Sequence, residues 1–205
     1  MTNFIKSCSV FQCCWIFLLL HGCTTSPAGS DLTEQLIAQP PSGWTRVYRL
    51  NEEGNRISEF IPADEEPNKW VNKLWFESFA DMEKADPIEL LLYEAEQYKK
   101  RCSFVQHFNL FSGYENGYPT SLRLIMCGKS KQLETGEVSM FKAILGEQSF
   151  YVIKLAHKVA PFEVNKSEVT QTEIAQWSTF MKRVVVCDPD TTEHPCPQIV
   201  SEPPP

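Results

Sequence analysis

From Trp44 onward the apolar positions recur with two periods, and each period marks an element. Residues 44–50 and 56–61 are short β-like runs on either side of Asn51-Glu52-Glu53-Gly54, a turn in which Gly54 can supply a positive φ. Pro62 ends the second run. Residues 69–79 alternate, with Trp70, Leu74 and Phe76 on one face and Val71, Trp75 and Phe79 on the other. Apolar residues on both faces predict a strand covered on both sides. Asp86-Pro87-Ile88-Glu89 then reads as a helix start: a capping acid, proline at the first helical position, and Glu three after the cap. The helix runs from Pro87 to Arg101. Leu91, Leu92, Ala95 and Tyr98 lie near one side, and Lys99-Lys100-Arg101 complements the C-terminal dipole.

Residues 102–111 and 119–127 are β-rich runs around Ser112-Gly113-Tyr114-Glu115-Asn116-Gly117-Tyr118, where Asn-Gly marks a hairpin loop. Residues 138–145 and 149–158 form a second hairpin, closed tightly at Gly146-Glu147. Thr170-Gln171-Thr172-Glu173 is a capping box, and Ile174, Trp177, Met181 and Val184 follow at helical spacing to about Val186. The order β-β-β-α-β-β-β-β-α is dominated by hairpins and has no βαβ repeat. It predicts an α+β fold, a single antiparallel β-sheet with helices packed on it, braced by disulfides. This element order resembles that of the Mog1 and PsbP families over residues 44–186. The resemblance is one of topology, and it implies a fold but no function.

The first 22 residues follow another pattern. Residues 10–20 are apolar apart from Gln12, about half the roughly 20 residues that a spanning helix needs. They fit a secretory signal. The stretch Leu18-Leu19-Leu20-His21-Gly22-Cys23 resembles the lipobox of bacterial lipoproteins, with Leu20 at −3, Gly22 at −1 and His21 where a small or hydroxyl residue is usual. The resemblance implies cleavage before Cys23 and diacylglycerol on its sulfur. Thr24, rather than Asp, resembles lipoproteins sorted to the outer membrane, so the implied address is the cell envelope, lipid-anchored, on the periplasmic face of that membrane. The chain thus divides into a signal peptide (1–22), a lipidated tether (23–42), one α+β domain (43–196) and a Pro-rich mobile tail (197–205). The tail has four prolines in nine residues and can be neither helix nor central strand.

Composition narrows the partners. The net charge is −7 and no basic block exists, which disfavours nucleic acid. Of the eight cysteines, Cys8, Cys13 and Cys14 fall in the signal and Cys23 takes the lipid. Four remain, an even number that reads as two disulfides in an oxidising compartment. Three pairings are possible, and neighbourhood favours Cys102–Cys127 and Cys187–Cys196. Pairing of the two strands also brings Cys102 and Cys127 near each other at the open end of the hairpin.

No catalytic residue, metal site or cofactor stands out. The segment 187–196 holds Cys187, Asp188, Asp190, Glu193, His194 and Cys196, a metal-capable set, but its spacing matches no standard zinc pattern and a disulfide-closed loop explains it. His107 and His157 lie on different strands with no nearby acid. Trp44, Trp70, Trp75 and Trp177 read as core, with a sugar-stacking platform as the sharper alternative. Tyr114 and Tyr118, at the tip of the first hairpin, are candidate partner contacts. The leading expectation is a non-enzymatic envelope lipoprotein that binds another envelope protein or supports an assembly. The alternatives are a small-ligand or glycan-binding module with its cleft between sheet and helix, and a metal-dependent hydrolase.

Overall fold

The computed structural model of the protein describes residues 33–197 apart from 81, 83, 164, 165, 167 and 168. The signal, Cys23, residues 24–32 and the tail from 198 lie outside the described residues. Among those described, the elements run β1 (Gln35–Ile37), β2 (Trp44–Glu52), β3 (Asn55–Pro62), β4 (Asn72–Phe79), α1 (Pro87–Arg101), β5 (Val105–Glu115), β6 (Tyr118–Cys127), β7 (Gly136–Leu145), β8 (Phe150–Val159), α2 (Gln171–Arg183) and β9 (Val185–Cys187).

The seven strands read from sequence form one antiparallel sheet in the order β2-β3-β4-β8-β7-β6-β5. The expectation of a single sheet is nevertheless overturned, because β1 and β9 pair antiparallel as a second, two-stranded sheet. Both strands have only three residues, too few to show a period. β1 lies inside the segment read as tether. β9 lies where the last helix was expected to continue. That helix stops at Arg183 because Val184-Val185-Val186 is a β-branched run, and β1 offers it a partner.

Local chemistry sets most boundaries. Asp86 accepts hydrogen bonds from the amides of Ile88 and Glu89, at 2.7 and 3.2 Å, and starts α1. Thr170 and Glu173 form a reciprocal capping box for α2. Asn116 and Gly117 take φ values of 50° and 83°, the two-residue turn that closes β5 onto β6. The expected seven-residue loop is therefore mostly strand. β4 begins three residues later than expected, because the Glu65 carboxylate accepts the amides of Val71 and Asn72 and holds residues 69–71 in a loop.

Each face of the large sheet carries one helix. On the α2 face Leu74, Leu124, Met140, Ile153 and Leu155 pack with Phe180 and Met181. On the α1 face Ile125, Phe141, Ala143, Phe150 and Val152 pack with Leu91, Ala95 and Tyr98. Each such buried side chain contributes roughly 1.5–3 kcal/mol. α1 rests mainly on β5, β6 and β7, and Phe79 at the end of β4 packs at the margin of the same core.

Two buried charges organise one end of the molecule. The Glu34 carboxylate accepts from the amides of Glu147 (2.6 Å) and Ser149 (3.2 Å) and from the Tyr151 hydroxyl (3.0 Å). A Cβ at position 146 would collide with this carboxylate, so Gly146 is required there. The Lys142 ammonium, fully buried, donates to Glu115 and to the carbonyls of Met181 (2.8 Å) and Val184 (2.7 Å). Its three donors have three acceptors, and two of these are carbonyls at the C-terminal end of α2.

Candidate functional site

β5 is one edge of the large sheet, hydrogen-bonded among the described strands to β6 alone. From Val105 to Tyr114 it has no Asp, Glu, Lys, Arg or Pro. A bulge lies between Asn109 and Phe111. Phe108 is 46% exposed and Leu110 41%. Tyr114 is 72% exposed, and with Ile88 of α1 and Pro119 it lines a groove of about 290 Å³. Tyr118 is 2% exposed, which corrects the expectation that both tyrosines project from the tip. The reason is strand alternation. Tyr118 lies opposite Glu115, and Tyr114 is one residue earlier, so the two rings point to opposite faces.

Tyr118 is covered by the loop that the second disulfide closes. Both disulfides are formed, Cys102–Cys127 across 25 residues and Cys187–Cys196 across 9. His194 stacks on Tyr118 at 4.0 Å between ring centres, donates from Nδ1 to the Asn116 carbonyl (2.9 Å), and places Nε2 3.5 Å from Glu147. The Asn116 bond, and then the Glu147 charge, raise its pKa above the usual imidazole value. The Asn116 side chain donates to the carbonyls of Val186 and Pro195. The metal-capable segment is therefore a clasp over the hairpin. Its sulfurs are bonded to each other and its imidazole is engaged.

His107 and His157 do not meet. His107 lies opposite Ile125, on the α1 face, and His157 opposite Val138, on the α2 face. His107 Nδ1 lies 2.8 Å from Arg123 Nη1; a guanidinium only donates, so this nitrogen is an unprotonated acceptor. Burial, reinforced by the Arg123 charge, lowers its pKa. His157 Nδ1 donates to Asn72 Oδ1 at 2.7 Å. Among the described residues no three His, Cys, Asp or Glu side chains converge to hold a metal.

The tryptophans are also divided between faces. Trp44 and Trp177 pack against the α2-face core. Trp70 and Trp75 meet edge to face at 5.6 Å on the other side. Lys158 lies over Trp70 at 3.6 Å, and Lys73 and Lys154 lie over Trp75 at 4.8 and 4.6 Å. Ring faces that a sugar would stack on already hold ammonium groups, each worth about 0.5–1 kcal/mol at such sites. Lys154 continues the network to Glu137 (3.1 Å), which also accepts from Tyr98 (2.5 Å) and Ser139 (2.6 Å). Burial would raise the Glu137 pKa, but Lys154 and the two hydroxyls outweigh it and hold the carboxyl at about 2.

Beside this network a cleft of about 370 Å³ opens between α1 and β4. Trp75, Phe141 and Val152 form its floor and Leu90 one wall, while Glu77, Glu94, Arg101 and Lys154 stand at its rim. Sequence reasoning placed a ligand cleft between sheet and helix only in outline. The signal for its residues was the alternation of Trp75, Glu77 and Phe79 with the i, i+4 pair Leu90 and Glu94.

No protein-family model matches the chain, and no curated protein matches it. Among solved structures it is similar to Mog1p, a Ran-binding protein of Saccharomyces cerevisiae, at 15% identity and a TM-score of 0.38, over 72% of this chain and 83% of that one. It is also similar to LpqN of Mycobacterium tuberculosis, involved in cell envelope biogenesis, at 9% identity and a TM-score of 0.40, over 78% and 87%. Neither likeness assigns the chain to a family or gives it an activity.

Proposed function

We propose that this chain is a non-enzymatic envelope lipoprotein, held to the membrane through diacylglycerol on Cys23, whose β5 edge takes an extended strand of a partner protein. The anchor and the outer-membrane address rest on the lipobox-like sequence ending in Cys23 and on Thr24. The binding mode rests on one observation: an eleven-residue edge strand, uncharged from 105 to 114, that exposes Phe108, Leu110 and Tyr114. Among the described residues this strand has a strand neighbour on one side only, and its apolar side chains give pockets for alternate residues of an added strand. A second copy is the poorer occupant. Twofold pairing about residue 110 would set the bulge at Asn109–Phe111 against itself in the middle of the ladder.

Photo-crosslinkers placed singly at Phe108, Leu110, Tyr114 and, as a control, Tyr48 test this in membranes of the source organism. The expected result is one partner captured from all three β5 positions through a single extended segment, and nothing from Tyr48. Capture of scattered sites, of another copy, or equally from Tyr48 would overturn it. Cys23→Ser is expected to release the protein from membranes or leave the precursor uncleaved, and an unmodified soluble wild-type chain would refute the anchor.

A further inference from the structure

We propose that the cleft between α1 and β4 binds a short zwitterionic peptide, its ammonium at Glu77 and Glu94 and its carboxylate at Arg101. The site is separate from the β5 edge and stands whether or not that edge binds a strand. Along α1 the charges at the cleft change sign over two turns, from Glu94 to Arg101. Glu77 feels the repulsion of Glu94 and the weaker attraction of Lys154. Burial, and then the Glu94 charge, hold the Glu77 carboxyl above the usual carboxylate range, the situation that an arriving cation would relieve. At the other end the Arg101 guanidinium stacks on the Tyr98 ring at 3.8 Å and, among the described residues, pairs with no carboxylate. A guanidinium so placed keeps its donor edge for a carboxylate.

Spacing selects the ligand class. Glu94 and Arg101 are seven residues apart on one helix, about 10.5 Å along its axis. Subtracting a hydrogen bond of about 2.9 Å at each end leaves roughly 5 Å between the ligand charges. In a single α-amino acid both charges flank one carbon, which is too close. A dipeptide, with consecutive Cα atoms about 3.8 Å apart, spans the gap. The floor of Trp75, Phe141 and Val152 suits apolar side chains, and a volume near 370 Å³ lies within the range of small-ligand pockets.

The test is calorimetric titration of the full chain with leucyl-leucine, N-acetyl-leucyl-leucine and leucyl-leucine amide. Saturable binding is expected for the zwitterion, with a loss of roughly tenfold or more when either terminus is blocked. Glu77→Gln is expected to remove the preference for the free amine, and Arg101→Gln the preference for the free carboxylate, while Tyr48→Ala changes neither. Arg101 is exposed, so its variant reports on the site even if Glu77→Gln perturbs folding. No saturable binding, equal affinity for the blocked forms, or variants that bind like the wild type would each overturn the proposal.

Discussion

β2 and β5 end the same sheet, both carry a bulge, and both expose a tyrosine, Tyr48 at 46% and Tyr114 at 72%. β2 sets Arg46, Arg49 and Glu52 around its bulge, whereas β5 has no charged residue before Glu115. The support beneath them differs in the opposite sense. β5 lies under α1, starts three residues after a disulfide-bonded Cys102, and ends at Glu115, which holds the buried Lys142. Among the described residues β2 pairs with β3 alone, while the main contacts of α1 are with β5, β6 and β7. Charge on an edge deters stray pairing, and β2 uses it where the strand is lightly held. A strand fixed on several sides loses little further entropy when it accepts a partner, so the braced edge is the one suited to docking.

The largest effect expected is on the bracing. Lys142→Met should destabilise the fold by about 3–5 kcal/mol, because Glu115 and two α2 carbonyls lose a buried partner. Tyr48→Ala, on the β2 edge, should stay within about 0.5 kcal/mol. Urea denaturation of both variants checks the contrast, and equal losses would show that the two sides are held alike.

Next come the disulfides. Chain entropy assigns roughly 3.5 kcal/mol to the Cys102–Cys127 bond and roughly 2.7 kcal/mol to Cys187–Cys196. Thermal melts of Cys102→Ala/Cys127→Ala and Cys187→Ala/Cys196→Ala should rank in that order. A larger loss in the second pair would put the main brace in the clasp over Tyr118.

Docking should respond about tenfold or more to a single charge on the open edge. Leu110→Lys is expected to abolish crosslinking at Tyr114 while leaving the melting temperature nearly unchanged, since Leu110 is 41% exposed. A variant that still captures the partner would mean that strand addition is not the mode.

The remaining effect is a pH dependence. Glu137 has its folded pKa held at about 2, below the ordinary 4.5. Its contribution is therefore full above pH 4.5 and lost as pH falls toward 2. The stability difference between wild type and Glu137→Gln should shrink over that window. A difference that stays constant would place the acid sensitivity in other carboxylates.

Much of this fold was written in local patterns. Asp86-Pro87 and the Thr170–Glu173 box mark both helix starts, Asn116-Gly117 marks the hairpin turn, and β-rich runs, alternating only in residues 69–79, mark the seven strands of the large sheet. The neighbouring cysteines pointed to the two pairs that are bonded. The site was less visible. Tyr114 was legible as exposed, but Tyr118 was not legible as buried, because its cover, His194, comes from 76 residues further along the chain. Glu34 looked like part of a polar tether, yet backbone amides of the β7–β8 turn bury it.

The sequence by itself determined the elements, the turns and the positions without charge, since each depends on residues a few places apart. Only the tertiary structure decided which strands became edges. The β4–α1–β5 connection carries the chain to the far side of the sheet, and β8 returns beside β4. That closure depends on how two apolar faces pack against α1 and α2 over long sequence separations. The same packing made an ordinary uncharged strand an edge of the sheet, and brought charges scattered along the chain to one cleft.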